Sequence, residues 1–363
     1  MSSKPEGQFQ IYTYKPRNQK RWYKKWYIYV GGLLFLAILY SVVSFGLAYN
    51  TIVVDNTAPK DRQSWWGNLT GLFGLNSGET IAFVDPNPIP EEEPNRIDIL
   101  IMGMRGDDGE ESAGQWLTDT MIVLSYDEIT KEVAMISIPR DFYIDMPVPE
   151  YDDDYRVRGK INEVYVKGLS KDGGIVLAKQ VVSKFSGIYI DYGIVFDFEA
   201  FQDIVDTLGG IDIYLNKPFS ESKQWGYPFE LPEGENHLDG QNTLYYVRSR
   251  YGSNDFDRAR RQQQVIQAIK DKASSLGFLT NPVKVLSLLD DLKGNVRTDL
   301  QIWEVKDLLA IAESVGNTPD IEHYVLTTQN LLRESHGFSG EYILLPLEDN
   351  YDAIQELFRT ILE

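Results

Sequence analysis

The sequence predicts an α/β fold, a three-layer αβα sandwich with a mixed central sheet, preceded by one transmembrane helix. Three observations favour this fold class. After residue 96, short apolar runs alternate with segments of helical spacing; two of these runs flank a tight polar turn; and one long uncharged segment lies near the N-terminus. Buried strands joined by helices build a sheet with helices on both faces, and a hairpin adds antiparallel strands to it.

The uncharged segment predicts the transmembrane helix. Residues 28–48 (IYVGGLLFLAILYSVVSFGLA) carry no charge, and about 20 apolar residues are enough to cross the ~30 Å hydrocarbon core of a bilayer. A buried helix of a soluble protein would be interrupted by polar positions. A cleaved signal peptide would be shorter and followed by a small-residue cleavage site. We therefore expect a single membrane span.

The charges beside this segment predict its orientation. Six lysines and arginines lie between residues 15 and 25, and Asp55 is the first charged residue after the helix. Basic flanks of a membrane helix stay in the cytoplasm. The N-terminus is therefore predicted to be cytoplasmic, and the main domain is predicted to lie on the extracytoplasmic side of the cell membrane.

Composition divides the chain into four parts. Residues 1–27 form a basic cytoplasmic tail, 28–48 the transmembrane helix, 49–95 an extracytoplasmic connector that ends in a Pro- and Glu-rich linker, and 96–363 the α/β domain. A domain of this length buries one substantial core, although residues 280–363 are numerous enough to form a subdomain.

Periodicity predicts the elements of the domain. Continuous apolar runs predict buried strands, apolar residues three or four apart predict helices, and a Gly-Gly pair at 209–210 predicts a helix end. The expected elements are strands over 97–103, 121–127 and 132–139, a helix over 173–187, a strand over 192–198, a helix over 199–210, a strand over 211–215, helices over 258–276, 282–292 and 300–314, strands over 323–327 and 342–346, and a helix over 350–362. The second and third strands form a hairpin, and the segment 192–215 forms a strand–helix–strand (βαβ) unit.

Composition and charge exclude several classes of function. The net charge is −19, and because residues 1–27 carry +6, the rest carries −25, which argues against nucleic-acid binding. The chain has no cysteine, so it has no disulfide, no thiol nucleophile and no thiolate metal site. Three scattered histidines argue against a zinc enzyme, and no nucleophile elbow, P-loop or dinucleotide-binding glycine motif is present.

A cluster of arginines is the densest polar signal in this acidic domain. Five lie within fourteen residues: Arg248, Arg250, Arg258, Arg260 and Arg261. The apolar stripe of the helix predicted over 258–276, when extended towards its N-terminus, passes through Gln262, Arg261 and Arg258. These side chains are therefore expected to point into a cleft, whereas Arg260 lies off this face and is expected on the surface.

The arginine cluster predicts a phosphate site. The first turns of a helix carry free N–H groups and a positive dipole, and forked guanidiniums match the geometry of phosphate oxygens. Asp255 or Asp257 is expected to cap this helix. The alternative is an ordinary salt-bridged helix whose arginines pair with neighbouring carboxylates.

Three shorter segments place polar residues next to strands. Arg140 follows a strand in SIPRD, and Lys160 and Asn162 belong to GKIN. Asp119 lies at the entry to a strand, where a carboxylate can hold Mg²⁺. A lone residue of this kind is more often structural than functional, so the interest of these segments depends on whether they meet in space.

Together these segments resemble the LytR–CpsA–Psr family of bacterial cell-envelope enzymes. The match, over about 96–272, includes the Thr-Asp-Thr before Met121, SIPRD, KIN, VDTLGGIDI (205–213), LDGQNTLYYVRSR (238–250) and DFDRARRQQ (255–263). The resemblance implies an αβα sandwich that binds a polyprenyl-pyrophosphate-linked glycan at the membrane. It further implies a phosphotransferase-type ligase that moves the glycopolymer onto a peptidoglycan hydroxyl, releases the lipid phosphate and uses Mg²⁺.

The resemblance also implies roles for individual residues. Arg140, Arg258 and Asp255 would act at the reacting centre, with Asp255 positioning arginines or assisting proton transfer, and Asp119 would ligate Mg²⁺. The implied contacts of the pyrophosphate are Lys160, Arg248, Arg250, Arg261, Gln262 and Arg105.

One departure from the family pattern bears on the metal. Where the family commonly has a second acidic residue after the first strand, this chain has Arg105, and Leu117 stands where an arginine is common. Asp107 or Asp108 can supply the missing carboxylate, or the Arg105 guanidinium can replace the charge of the ion. Two other functions therefore stay open: a non-catalytic anchored protein that binds lipid-linked glycan, and a phosphatase of the carrier lipid.

Overall fold

A computed structural model of the protein describes residues 53–54, 89–106, 114–147, 156–169, 173–250, 255–278, 292, 294–300, 311–312, 314–316 and 321–362. The chain divides into two compact units, Met1–Leu47 and Ala48–Glu363, and all described residues belong to the second. The predicted transmembrane helix at 28–48 and the basic tail lie outside the described residues. Across the ranges given above, the structure has no helix that is both long and apolar enough to span a bilayer.

The strands and helices of the described residues follow the chain in this order. The strands are β1 (Val53–Val54), β2 (Arg96–Met104), β3 (Thr118–Asp127), β4 (Val133–Ser137), β5 (Tyr143–Pro147), β6 (Arg156–Lys160), β7 (Tyr192–Phe196), β8 (Ile211–Leu215), β9 (Phe219–Glu221), β10 (Phe229–Leu231), β11 (Gly234–Leu238), β12 (Val296–Thr298), β13 (Glu322–Val325), β14 (Leu332–His336) and β15 (Tyr342–Pro346). The helices are α1 (Val164–Leu169), α2 (Gly174–Ser186), α3 (Phe198–Thr207), α4 (Gly240–Arg248), α5 (Asp255–Ser275) and α6 (Asp352–Thr360).

A mixed seven-stranded sheet forms the centre of the domain. Its strand order is β1-β12-β7-β2-β3-β4-β13. β7 runs parallel to β2, and β13 runs parallel to β4, whereas β2, β3 and β4 pair antiparallel. The mixed sheet and the hairpin predicted from the sequence are therefore confirmed.

Apolar side chains cover both faces of this sheet. On one face, Leu100 and Met102 of β2 pack with α2 and α6 in one buried cluster. On the other face, Ile97 and Ile99 belong to a second cluster, with Ile266 of α5 packed against it. Successive residues of a strand point to opposite faces, so the continuous apolar run of β2 is what two covered faces require.

Local sequence signals set the ends of the helices beside β7. Helix α3 begins after Asp197, whose side chain accepts a hydrogen bond from the backbone N–H of Ala200 at 2.9 Å. It ends before Gly209, whose φ of 75° is costly for other residues. Helix α2 stops in the same way, because Gly187 has a φ of 73° and its N–H binds the carbonyl of Ser183.

The structure corrects the predicted βαβ unit, which is wrong. β8 does not join β7 in the central sheet; it pairs antiparallel with β11 in a separate two-stranded sheet. The residues of β8 alternate between buried and exposed, with Asp212 and Tyr214 facing solvent. That alternation is typical of a half-exposed strand rather than of a strand buried on both faces.

Other elements were shifted or missed by the sequence analysis. Helix α5 begins at Asp255, so Asp257 lies inside its first turn rather than before it. The helices predicted over 282–292 and 300–314 lie largely outside the described residues. The elements that periodicity missed are short, and include β5, β6, β9, β10, β11, β14, α1 and α4.

The C-terminal residues 321–362 contribute to the same core as the preceding strands. β13 is the edge strand beside β4, and Phe358 of α6 is fully buried in the cluster that contains α2. β14 and β15 form an antiparallel hairpin between them.

A buried ion pair within β2 contacts the last helix, α6. Arg96 donates to the carboxylate of Asp98 at 2.8 Å, to the Ser125 hydroxyl at 3.1 Å and to the carbonyl of Phe358 at 2.7 Å. Burial raises the pKa of Asp98 to about 6, although Arg96 opposes the rise. Because a buried charge costs several kcal/mol without partners, these contacts fix α6 against the sheet.

A second, partly buried carboxylate lies next to this ion pair. Asp191 accepts a hydrogen bond from the backbone N–H of Asp98 at 2.8 Å, and Lys179 donates to the carbonyl of Asp191. Burial raises the pKa of Asp191 to about 7, and the nearby Asp98 carboxylate adds to the rise. The folded state therefore holds a proton on Asp191 at pH values where the unfolded chain does not.

We predict that Asp191 makes the free energy of unfolding fall as the pH rises from about 4 to about 7, between its unfolded and folded pKa values. A carboxyl group whose pKa is higher in the folded state stabilises the fold below its unfolded pKa, and that stabilisation is lost as the pH passes the folded value, about 7 for Asp191. Asp191→Asn should flatten this dependence. Urea unfolding of the full-length protein in detergent at several pH values measures it, and an equally steep decline in Asp191→Asn would contradict the assignment.

Candidate functional site

A cavity of about 340 Å³ lies at one edge of the central sheet. β2 and β7 are parallel, so both end at this edge, and the antiparallel β3 begins there. Ligands of α/β proteins bind beyond the carboxyl ends of such strands. The residues that line the cavity are Gly103, Arg105, Gly114, Leu117, Asp119, Thr120, Arg140, Phe196, Phe198, Phe201, Gln224, Leu244, Val247, Arg248, Arg250, Arg258, Gln262, Val265 and Ile266.

Five guanidinium groups line this one cavity, and they come from four separate parts of the fold. Arg105 follows β2, Arg140 follows β4, Arg248 ends α4 with Arg250 just beyond it, and Arg258 lies in the first turn and a half of α5. The structure therefore brings together residues that the sequence places more than a hundred positions apart. In a chain of net charge −19, this concentration of positive charge makes the cavity suited to an anionic ligand.

Asp119 is the carboxylate at the centre of the arginines. Its Oδ1 accepts hydrogen bonds from Arg140 at 3.1 Å and from the side-chain amide of Asn162 at 3.4 Å. Its backbone carbonyl accepts one from Arg258 at 3.3 Å, and Gln262 donates to the Thr120 hydroxyl at 2.8 Å. The start of β3 is thus attached to the first turns of α5.

Lys160 belongs to the network around Arg140 but is not among the residues that line the cavity. Its Nζ donates to Asp141 Oδ1 at 2.5 Å, and the other carboxylate oxygen of Asp141 lies 3.6 Å from Nε of Arg140. Asp141 is buried between the two cations. The ion pair therefore holds the β5–β6 hairpin, which ends at Lys160, next to Arg140.

Arg261 occupies a different environment from its neighbours on α5. Its guanidinium is buried, donates to the carbonyls of Tyr246 and Ser249, and lies 5.3 Å from the centre of the Phe219 ring. Burial lowers the pKa of Arg261. Arg261 is outside the cavity lining, and its hydrogen bonds fix the segment that carries Arg248.

The remaining residues singled out in the sequence fall near the start of α5. Asp255 is its first residue, and the role expected of Asp255 stays a prediction. Arg260 forms an exposed ion pair with Asp257 at 2.9 Å, as a surface residue would.

The loop between β9 and β10 contributes residues that the sequence analysis missed. Gln224 donates to the carbonyl of Arg248 at 3.0 Å and accepts from the backbone N–H of Arg250 at 2.8 Å. The Arg248 guanidinium lies 4.1 Å from the centre of the Phe198 ring and 5.1 Å from that of Trp225. The sequence feature that indicates this loop is the aromatic run QWGYPF (224–229) within a polar stretch.

The described residues offer a limited donor set for a metal. Asp119 is the one carboxylate among the cavity-lining residues of the described ranges, and within those ranges no group of three His, Cys, Asp or Glu is placed to hold an ion. Mg²⁺ usually keeps several waters and binds through one or two carboxylates together with substrate phosphates. The donor set fits that mode of binding, and does not fit a cage made of protein ligands alone.

Fold and site together define an α/β domain with an arginine-lined cleft at the carboxyl edge of its sheet. The chain belongs to the LytR_cpsA_psr family, whose model matches residues 76–359. The match begins in the connector upstream of Arg96 and extends into α6.

Relatives and solved structures agree with this membership. The chain is 31% identical over 336 residues to the polyisoprenyl-teichoic acid–peptidoglycan teichoic acid transferase TagU of Oceanobacillus iheyensis, covering 90% of this chain and 89% of that one. The crystal structure of B. subtilis TagV superposes with a TM-score of 0.58 at 26% identity, over 74% of this chain and 98% of that one. The structure of TagT bound to LIIa-WTA has a TM-score of 0.57 at 23% identity, over 80% and 97% of the two chains, and shows the shared fold.

We predict that the cavity binds inorganic pyrophosphate and that Arg258→Ala and Arg140→Ala each raise the Kd about 10- to 100-fold. A hydrogen bond to a charged group contributes ~1.5–3 kcal/mol, and 1.4 kcal/mol is about tenfold in affinity. Isothermal titration calorimetry on the full-length protein measures the effect.

Arg158→Ala is the matched control for these variants. Arg158 of β6 pairs with Asp145 of β5 at 3.0 Å, and both side chains are more than half exposed. Its removal should change the Kd less than twofold. Equal weakening in all three variants would mean that pyrophosphate responds to net charge and not to the cavity.

Proposed function

We propose that this protein is a membrane-anchored transferase that moves a glycopolymer from a polyprenyl-pyrophosphate carrier onto a peptidoglycan hydroxyl. The observation that carries the proposal is the convergence of five guanidiniums on one cavity at the carboxyl edge of the sheet. Family membership supports it, as does the similarity to a protein named as a teichoic acid transferase acting on peptidoglycan.

The proposed reaction is a phosphoryl transfer. The acceptor hydroxyl oxygen attacks the phosphorus that bears the glycan, and the bond from that phosphorus to the bridging oxygen breaks. The bridging oxygen leaves on the prenyl phosphate with the electron pair of that bond, and the hydroxyl proton passes to a base or to solvent. The products are a glycan–phosphodiester–acceptor and a prenyl phosphate, so negative charge grows on the leaving phosphate in the transition state.

The cavity is suited to stabilising that charge. Arg258 is buried and held against the Asp119 carbonyl, and Arg140 is held between two carboxylates, so both guanidiniums are fixed before the substrate binds. Fixed donors aimed at developing charge cost no reorganisation during the reaction. Arg248 and Arg250 lie on the same cavity wall, where they would contact the second phosphate.

The cavity also has an apolar side that suits the lipid end of the carrier. Apolar side chains form one part of its lining: Leu117, Phe196, Phe198, Phe201, Leu244, Val247, Val265 and Ile266. The first isoprene units of a prenyl pyrophosphate follow directly on the phosphate. An apolar wall beside the arginines therefore matches the amphipathic character of the ligand.

Mg²⁺ is part of this proposal as a substrate-dependent ligand of Asp119. Asp119 would hold it together with pyrophosphate oxygens, and the ion when bound would neutralise phosphate charge. Arg105, which lines the same cavity, stands where the family commonly has a second acidic residue and brings a positive charge instead. The predicted helix at 28–48 would anchor the protein in the bilayer that contains the carrier.

We expect Arg258→Ala and Arg140→Ala to lower the rate of prenyl phosphate release 10²- to 10³-fold, because one fixed donor to an oxyanion is typically worth that much. The measurement uses full-length protein in detergent, a lipid-pyrophosphate glycan, a peptidoglycan acceptor and Mg²⁺. Arg158→Ala should react at the wild-type rate.

The same assay separates the proposed transferase from its alternatives. Undiminished turnover in both Arg258→Ala and Arg140→Ala would contradict the assignment of these two arginines to the reaction. Tight binding of the glycolipid without turnover would favour a non-catalytic scaffold. Prenyl phosphate release that needs no acceptor would favour a phosphatase.

For the metal, we predict that Mg²⁺ binds tightly when prenyl pyrophosphate is present, and that Asp119→Asn abolishes this gain. Arg105→Asp should strengthen Mg²⁺ binding, because it exchanges a positive charge for a carboxylate beside the site. Calorimetric titration with Mg²⁺ tests both variants independently of activity. Asp145→Asn is the control, since Asp145 is an exposed partner of Arg158. Unchanged Mg²⁺ affinity in Asp119→Asn would contradict the assignment.

A further inference from the structure

We propose that an aromatic platform beside the cavity binds the first sugar ring of the pyrophosphate-linked glycan. The platform is defined by Trp225, Tyr227 and Tyr245. This inference rests on the proposed function, since it presumes that the pyrophosphate occupies the arginine-lined cavity.

The three rings form a continuous aromatic surface. The Trp225 and Tyr245 rings are stacked, with centres 4.3 Å apart and an angle of 24° between their planes. Tyr227 packs edge-on against Tyr245 with ring centres 6.1 Å apart, and Phe229 supports Tyr245 from β10 at 5.7 Å. Two of these residues belong to the β9–β10 loop and one to α4, so the surface is assembled only in the folded protein.

The platform is attached directly to the cavity wall. Trp225 Nε1 donates to the Ser249 hydroxyl at 3.3 Å, and the Arg248 guanidinium lies over the Trp225 ring. Gln224, the residue before Trp225, lines the cavity and binds the backbone on both sides of Ser249. Trp225 is therefore the ring of the platform nearest to a pyrophosphate held by Arg248, and Tyr245 and Tyr227 extend the platform from it.

The exposure of Tyr227 distinguishes the platform from an ordinary packing cluster. Trp225 and Tyr245 are half-buried, which is enough to fix the loop, whereas Tyr227 keeps 50% of its surface exposed. A tyrosine ring presents an apolar face and a polar tip. The axial C–H groups of a pyranose form an apolar face of matching size, so stacking on Tyr227 removes apolar surface of both partners from water.

The covalent bond between the first sugar and the phosphate favours the donor sugar, rather than the acceptor sugar, as the ligand of the platform. The first sugar of the carrier is bonded to the phosphate itself, so the covalent link limits its distance from Arg248 whenever the pyrophosphate is bound. The acceptor sugar has no such covalent constraint. Acceptor binding at the platform is therefore a separate outcome of the test.

The experiment compares two lipids on full-length protein in detergent: a prenyl pyrophosphate without sugar, and the same lipid carrying one N-acetylhexosamine. Tyr227→Ala should raise the Kd of the sugar-bearing lipid about three- to tenfold, the range expected for loss of one stacked ring. It should leave the Kd of the sugar-free lipid within twofold. Tyr227→Phe, which keeps the ring, should bind both lipids as the wild type does.

Tyr214→Ala is the matched control, because Tyr214 is an equally exposed tyrosine, 60% accessible, on β8 outside the cavity lining. Its removal should change neither Kd. Equal weakening of both lipids in Tyr227→Ala, or no change in either, would overturn the platform. A change confined to the KM of the acceptor would overturn it as a donor site.

The result also distinguishes failure of the platform from failure of the proposed function. If the wild type binds both lipids and transfers glycan, but Tyr227→Ala has no selective effect, the platform is wrong and the transferase stands. If the selective effect appears but no transfer occurs with any acceptor, the platform stands as a glycolipid-binding surface and the transferase is wrong.

Discussion

The five arginines that surround one cavity repel one another, and the neighbouring groups of the site must offset this repulsion. Like charges held close together destabilise a fold unless nearby groups offset them. Here Asp119 and Asp141 face Arg140, the Asp119 carbonyl faces Arg258, and aromatic rings face Arg248. An anion bound in the cavity would add to these groups, so ligand binding and stability of the folded state are linked.

Several parts of the fold hold the cavity arginines in place. The parallel pair β2 and β7 places Gly103 and Phe196 at the same edge, and the short strands after β7 carry the loop that holds Arg248 and Arg250. Arg261 does not line the cavity, but it donates hydrogen bonds to the carbonyls at the end of α4 and so fixes the segment that carries Arg248. The positions of the cavity arginines are therefore set partly by groups that do not themselves line the cavity.

The sequence predicts most of what depends on local pattern. The central strands, the hairpin, α2 and α3 follow from apolar runs and glycine stops. Part of the polar cavity lining follows from the arginine cluster and from polar positions next to strands. The position predicted for β8 was wrong because its alternating residues fit a half-exposed strand, whereas a strand of the βαβ unit would be buried on both faces. Arg261 could not be separated from Arg258 by periodicity, because the two lie one turn apart on α5. What separates them is the end of α4, which reaches Arg261 only through tertiary packing. The aromatic loop was missed for the same reason.

The contact between Arg96 and the carbonyl of Phe358 has a consequence for how the domain is made. Arg96 is the first residue of β2, and its partner lies within the last turn of α6, 262 residues later. Until that turn has emerged, the strand carries a buried cation with part of its hydrogen bonds missing. The hydrogen bonds of Arg96 are therefore complete only after α6 has packed against β2, so the start of the domain and α6 depend on each other for their stability.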